Sequence, residues 1–154
     1  MKDISTLVKA LDAEGEEGPR RAIQALARIG KPALKHLLES AKDPGIRLRR
    51  WSMEALAKIG GSEARKIIRK GTQDPAMSVR YHALQAMLTT RDPQAVSILI
   101  RLLNDPSGGV RINAVDGLRY LGSKRAVLAL RKCLKDPKNY VRRQAKIALD
   151  ALGK

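Results

Sequence analysis

Reactive side chains are few in this chain of 154 residues. His36 and His82 are its only histidines, and Cys133 is its only cysteine. Two histidines in separate segments supply too few ligands for a histidine-based metal site. Cys133 falls beside an apolar face, the place of a small core residue rather than a nucleophile. Gly108-Gly109 loosens a turn, and nothing resembles a glycine-rich phosphate loop. The groups with periodic spacing are carboxylates. Asp43, Asp74, Asp105 and Asp136 stand thirty-one residues apart, each followed at once by proline. Six residues after each aspartate comes an arginine: Arg49, Arg80, Arg111 and Arg142. Asp-Pro is a helix-start signal, because Asp accepts hydrogen bonds from the first free amides and Pro has a preset φ and no amide to waste. These aspartates therefore have a structural use. The arginines are expected to form a ladder, bonded to neighbouring aspartates or helix-end carbonyls. No catalytic constellation remains, so the expectation is a protein that is not an enzyme and uses no metal or cofactor.

Charge is the other chemical feature. Lys and Arg number 31 against 15 Asp and Glu, a formal net charge of +16. Residues 1–17 hold five of the acids, leaving 29 bases against 10 acids in residues 18–154. Such a field draws anionic partners and speeds their encounter without naming them. A lone cysteine forms no intrachain disulfide and no thiol zinc site, which suits a reducing cytoplasm. The acidic N-terminal stretch does not read as a signal peptide. No run approaches the length of a membrane span.

The elements that carry these residues follow from the repeat. With each Asp of Asp-Pro as position 1, apolar or small residues fall at positions 6, 10, 13, 14 and 17. Those positions share one face at 100° per residue, so the first half of the unit is an amphipathic helix. Glycine at position 18 (Gly60, Gly122, Gly153) stops it. A second helix is expected from about position 20, with its buried face at positions 22, 23, 26, 27 and 30. The third unit departs from the pattern, with Thr90 and Arg91 at the helix end and Asp92-Pro93 starting the next helix. Arg65 and Arg69 fall at expected core positions of the second unit's second helix. One helix pair cannot bury its apolar face alone, and stacking repeats buries it between neighbours.

The stretches "DPAMSVRYHALQAM" and "DPSGGVRINAVDGLRYLGSKRAVLALRKCL" resemble HEAT repeats, specifically the short variety named after phycobiliprotein-lyase subunits. The resemblance runs over residues 20–154. It implies an all-α, right-handed α-α superhelix, a HEAT-like solenoid of about ten short helices. The expected organisation is a single repeat domain over 1–154. Its units are about 13–42, 43–73, 74–104, 105–135 and 136–154, preceded by an N-terminal half-unit at 1–12. In the last unit Lys146 stands where other units are apolar, which suits a closing cap; a chain continuing past Lys154 is the alternative.

The resemblance also implies that the second helices line a concave surface. Their outward positions carry Lys35, Lys66, Lys70, Arg101, Arg125, Lys132 and Lys135, with Lys70, Arg101 and Lys132 expected in one row. Ile67 and Ile98 lie between the basic columns, either as an exposed apolar seam or tucked against the next unit. The resulting expectation is a scaffold that offers a basic surface, with these residues, to an acidic protein or peptide. Sequence-independent nucleic-acid binding through the same bases is the alternative, set back by the absence of aromatic rings on which bases would stack. A lyase-like or glycosylase-like enzyme is the third reading. On the other face, Trp51, Tyr81 and His82 are expected to cluster across adjacent first helices, either covering a helix seam or making a protein contact. The chain is expected to be cytoplasmic, to span no membrane and to act as a monomer.

Overall fold

The computed structural model describes residues 3–154; Met1 and Lys2, the first residues of the expected half-unit, lie outside it. Among the described residues there are ten α-helices and no strand. In chain order they are α1 (Ile4–Lys9), α2 (Glu17–Ile29), α3 (Leu34–Ser40), α4 (Ile46–Ile59), α5 (Gly61–Gly71) and α6 (Met77–Thr89), then α7 (Ala95–Leu102), α8 (Gly108–Tyr120), α9 (Val127–Cys133) and α10 (Asn139–Ala151). Contacts divide the chain into two compact units. The first ends at Asp92 and the second is Pro93–Lys154. None of the described helices is long and apolar enough to cross a membrane.

The Asp-Pro turns work differently from the simple cap expected. Each helix starts three residues after the aspartate, and the capping residues Gly45, Ala76, Ser107 and Lys138 make no side-chain cap bond. Asp43, Asp74, Asp105 and Asp136 instead accept a hydrogen bond from the amide two residues on, at 2.7–2.9 Å. That Asx turn redirects the chain before the helix begins.

The arginine ladder is present within each unit. In the first, Arg49 Nη1 donates to the Asp43 and Pro44 carbonyls at 2.8 and 2.9 Å, while its Nε and Nη2 fork onto the Asp74 carboxylate at 2.8 and 2.9 Å. In the second, Arg111 does the same with Asp105, Pro106 and Asp136. One side chain thus braces its own turn and clamps the next, using the planar donor fork that only arginine has.

First-type helices bury the stripe the period predicts. Val79, Val110 and Val141, then Ala83, Ala114 and Ala145, then Leu56, Met87 and Leu118 are all at most 1% exposed. Position 17 is looser, with Leu121 at 37%. Gly71 allows a close approach: a Cβ there would sit 2.6 Å from Met53 Sδ and 3.0 Å from Ala83 Cβ. Gly108 likewise leaves room for the Tyr140 ring, which explains a glycine that sequence alone reads as a loosened turn.

The irregular end of α6 is held by side chains. Gly30, Gly60 and Gly122 leave their helices at φ of 72°, 72° and 61°, whereas Arg91 adopts φ 47° without being glycine. Thr90 Oγ1 donates to the Ala86 and Met87 carbonyls at 3.0 and 3.2 Å. Arg65 reaches the Thr90 carbonyl at 3.1 and 3.2 Å, and Arg69 forks onto Asp92. The two arginines that look misplaced in a core are the partners of the departing turn.

Candidate protein-binding surface

On the second-type helices the buried face is rotated from the one expected. Positions 22, 25, 26 and 29 point inward, as in Ala64, Ile67, Ile68 and Gly71 on α5 and Ala95, Ile98, Leu99 and Leu102 on α7. Relative to the face through positions 22, 23, 26, 27 and 30, the shift is about 80° at 100° per residue. This corrects one part of the expected site. Ile67 and Ile98 are 9% and 8% exposed, so they form no exposed seam, although Ile67 still lines the hollow between α3 and α5. Lys35, Lys66 and Lys70 in the first unit are exposed, as are Arg101, Arg125, Lys132 and Lys135 in the second.

Lys35, Lys70, Lys132 and Lys135 border a recurring groove, while Lys66, Arg101 and Arg125 line none of the three hollows between α1 and α3, α3 and α5, and α7 and α9. Between α3 and α5 a hollow of about 200 Å³ is lined by Leu38, Ala41 and Lys42 on one side and Ile67, Lys70 and Gly71 on the other, with Asp74 at its end. Between α7 and α9 a hollow of about 240 Å³ is lined from the same repeat positions by Ile100, Leu103 and Asn104, then Lys132 and Cys133, with Asp136 at its end. The groove between α1 and α3, about 400 Å³, repeats the plan with Glu39 where the other two have lysine. All three grooves are bordered by lysine, Lys70 and Lys132 at the same repeat position in two of them and Lys9 and Lys35 in the third, and the first two have a mainly apolar opposite wall.

This stacked-pair architecture has known counterparts. The HEAT repeats family matches residues 4–87 and again residues 69–150. The chain belongs to the HEAT-repeat family. Solved structures with the same fold include the complex of CpcE and CpcF of phycocyanin lyase from Nostoc sp. PCC7120, at TM-score 0.77 and 22% identity, covering 94% of this chain and 96% of that one. A designed armadillo repeat protein in complex with peptide (KR)4 aligns at TM-score 0.62 and 24% identity, over 97% of this chain and 81% of that one. Human deoxyhypusine hydroxylase in complex with glycerol aligns at 0.56 and 19%, over 97% and 73%. At these identities the likeness is one of fold. A comparison with curated proteins gives no match.

Within this HEAT-repeat scaffold the acids near the grooves are already engaged. Asp74 and Asp136 carry the arginine forks. The Arg111 hydrogen bonds hold the Asp136 carboxyl below its usual 3.8, against a burial effect of opposite sign. Lys66 pairs with Glu63 at 3.0 Å and Lys42 with Glu39 at 3.3 Å, in exposed contacts worth little. Burial pushes the Cys133 thiol up, and its Sγ lies 3.6 Å from the Ala129 carbonyl. No group of three or more metal-binding side chains exists among the described residues.

Trp51, Tyr81 and His82 do cluster, on α4 and α6. The Trp51 and His82 rings lie 5.7 Å apart, Tyr81 and His82 5.5 Å, and the Arg50 guanidinium stands 4.8 Å over the indole. Trp51 is 2% exposed, so it seals the helix seam rather than offering an anchor. Burial, then the charge of Arg50, lowers His82 to about 4.

Sequence reasoning left Lys124, Leu128 and Arg131 out of the site, and all three are exposed on or beside α9. The signal was available. Charged residues at positions 23 and 27 (Arg65, Arg69, Arg131) argue against a core face there, and apolar Ile67 and Ile98 at position 25 argue for one.

Proposed function

We propose that this HEAT-repeat chain is a non-catalytic binding module that presents basic grooves on its second helices to an acidic segment of a protein partner. The observation that carries this reading is the recurrence of one groove, with apolar walls and a lysine at the same repeat position, in each unit (Lys70 and Lys132). An extended or helical segment with apolar side chains between carboxylates matches that lining in shape and charge. Cys133 is buried and His82 sits in the helix seam, so neither adds a reactive group to these grooves, and His36 stands alone at the α1–α3 groove without a second histidine or a thiol beside it in the lining. The lone thiol suits a cytoplasmic setting. A likeness to a designed repeat protein that holds a peptide is consistent with the mode, although that peptide is basic, as this surface is, whereas the segment proposed here is acidic.

The test is an anisotropy titration of the full chain with a labelled peptide of alternating Glu and Leu. Binding that weakens with salt, and weakens further in Lys70→Glu and Lys132→Glu, is the expected result. Binding to duplex DNA with no binding to the peptide would transfer the surface to nucleic acid.

A further inference from the structure

The outward face of α9 differs from every other second-type helix. Residues 124–135, "KRAVLALRKCLK", contain five cations and no acid. Lys124, Arg125, Arg131, Lys132 and Lys135 are all exposed, and none has an ion-pair partner among the described residues. Beside α3 and on α5, by contrast, Lys42 pairs with Glu39 and Lys66 with Glu63, so those segments carry acids that offset part of their charge. In the middle of the α9 cations stands Leu128, 75% exposed. It has a cation three and four residues away on both sides, Arg125 and Lys124 before it and Arg131 and Lys132 after it. Arg131 and Lys132 share a face of α9 with Leu128, and Lys124 and Arg125 lie in the 3-10 turn Lys124–Ala126 that leads into the helix. A large apolar side chain ringed by charge and held in water gains nothing for the fold.

We propose that α9 is the anchor of the partner site, with Leu128 as its apolar centre, and that it reads an acidic helix carrying one large apolar residue flanked by carboxylates three and four positions away. This rests on the basic-groove reading and sharpens it, since Lys132 belongs both to this face and to the α7–α9 groove. The complement is chemical. Five unpaired cations call for carboxylates, and Leu128 calls for an apolar surface between them. A phosphate backbone supplies the charge but no apolar contact, and no aromatic ring lies in this segment for a base to stack on.

The experiment uses two labelled helical peptides of equal charge. Both carry Glu on each side of a central position; one has Leu at that centre and the other Ser. They are titrated against the full chain and against Leu128→Ala, a change at an exposed site that leaves the fold intact. The wild-type chain should bind the Leu peptide at least about tenfold more tightly than the Ser peptide, the range expected for burying one leucine. Leu128→Ala should erase that gap and leave a weaker, salt-sensitive affinity common to both. Equal affinity for the two peptides, unchanged by Leu128→Ala, overturns the α9 anchor while leaving the basic-groove reading standing. Failure of both peptides to bind removes both. A Leu128→Ala effect on duplex DNA or phosphatidylserine vesicles, with none on the peptides, overturns the choice of partner.

Discussion

Arg69 holds Asp92 with two hydrogen bonds, from Nε at 2.7 Å and from Nη2 at 2.9 Å, and the Asp92 side chain is wholly buried. The pair closes the one turn of the first unit that lacks the usual glycine. Taking the guanidinium fork from a buried carboxylate is costly, so Arg69→Ala should lower unfolding free energy by about 3 kcal/mol. Arg69→Lys should recover little, because an ammonium group cannot fork. Urea unfolding of the three proteins checks both.

Arg91 is the counterpart of the pair. Its φ of 47° lies where side chains other than glycine are strained. Arg91→Gly should therefore raise the melting temperature, by the equivalent of about 1 kcal/mol. A lower melting temperature would mean that the Arg91 side chain contributes more than its backbone costs.

His82 makes stability depend on pH. Its folded value of about 4 lies below the ordinary 6.5, so the unfolded chain takes up a proton first as pH falls. The contribution is fully present above about 6.5 and is lost progressively down to about 4. Melting temperatures of the wild type should fall across that window. His82→Gln should flatten the slope, since the remaining charged neighbours, Arg50 and Glu16, do not carry it alone.

Asp136 acts lower on the pH scale. Its folded value is depressed by Arg111, so its stabilisation is intact above the usual 3.8 and disappears as pH falls through the lower folded value. In Asp136→Asn the second unit should be less stable at neutral pH and should show a shallower acid limb. Circular dichroism followed through an acid titration reads both effects.

Unequal lysines give a binding prediction. Lys66 already pairs with Glu63, whereas Lys132 borders the α7–α9 groove without such a partner. Lys132→Ala should weaken acidic-peptide binding and reduce its salt dependence, and Lys66→Ala should change either one only slightly. Anisotropy titrations at two salt concentrations separate them.

The first-type helices were legible because each has one unambiguous stripe: Val79, Ala83 and Met87 on α6, or Val110, Ala114 and Leu118 on α8. The second-type helices were not. On α7, Val96, Ile98, Leu99, Ile100, Leu102 and Leu103 spread over more than half of the helix circumference, so period alone does not fix the centre of the buried side. The rotation of that face is why Ile67 and Ile98 moved from candidate seam to core, while the lysines proposed beside them stayed outside. Sequence marked both the missing glycine at Arg91 and the odd placement of Arg65 and Arg69. Their link is a contact across more than twenty residues, and only three-dimensional packing discloses it.

The Arg49–Asp74 and Arg111–Asp136 clamps are built from parts that recur with a constant period. A duplication or loss of thirty-one residues therefore keeps donor and acceptor in step, while a different insertion between the two members of a clamp shifts the guanidinium away from its turn. A chain with this joint can gain or lose a whole module without leaving a clamp half-made.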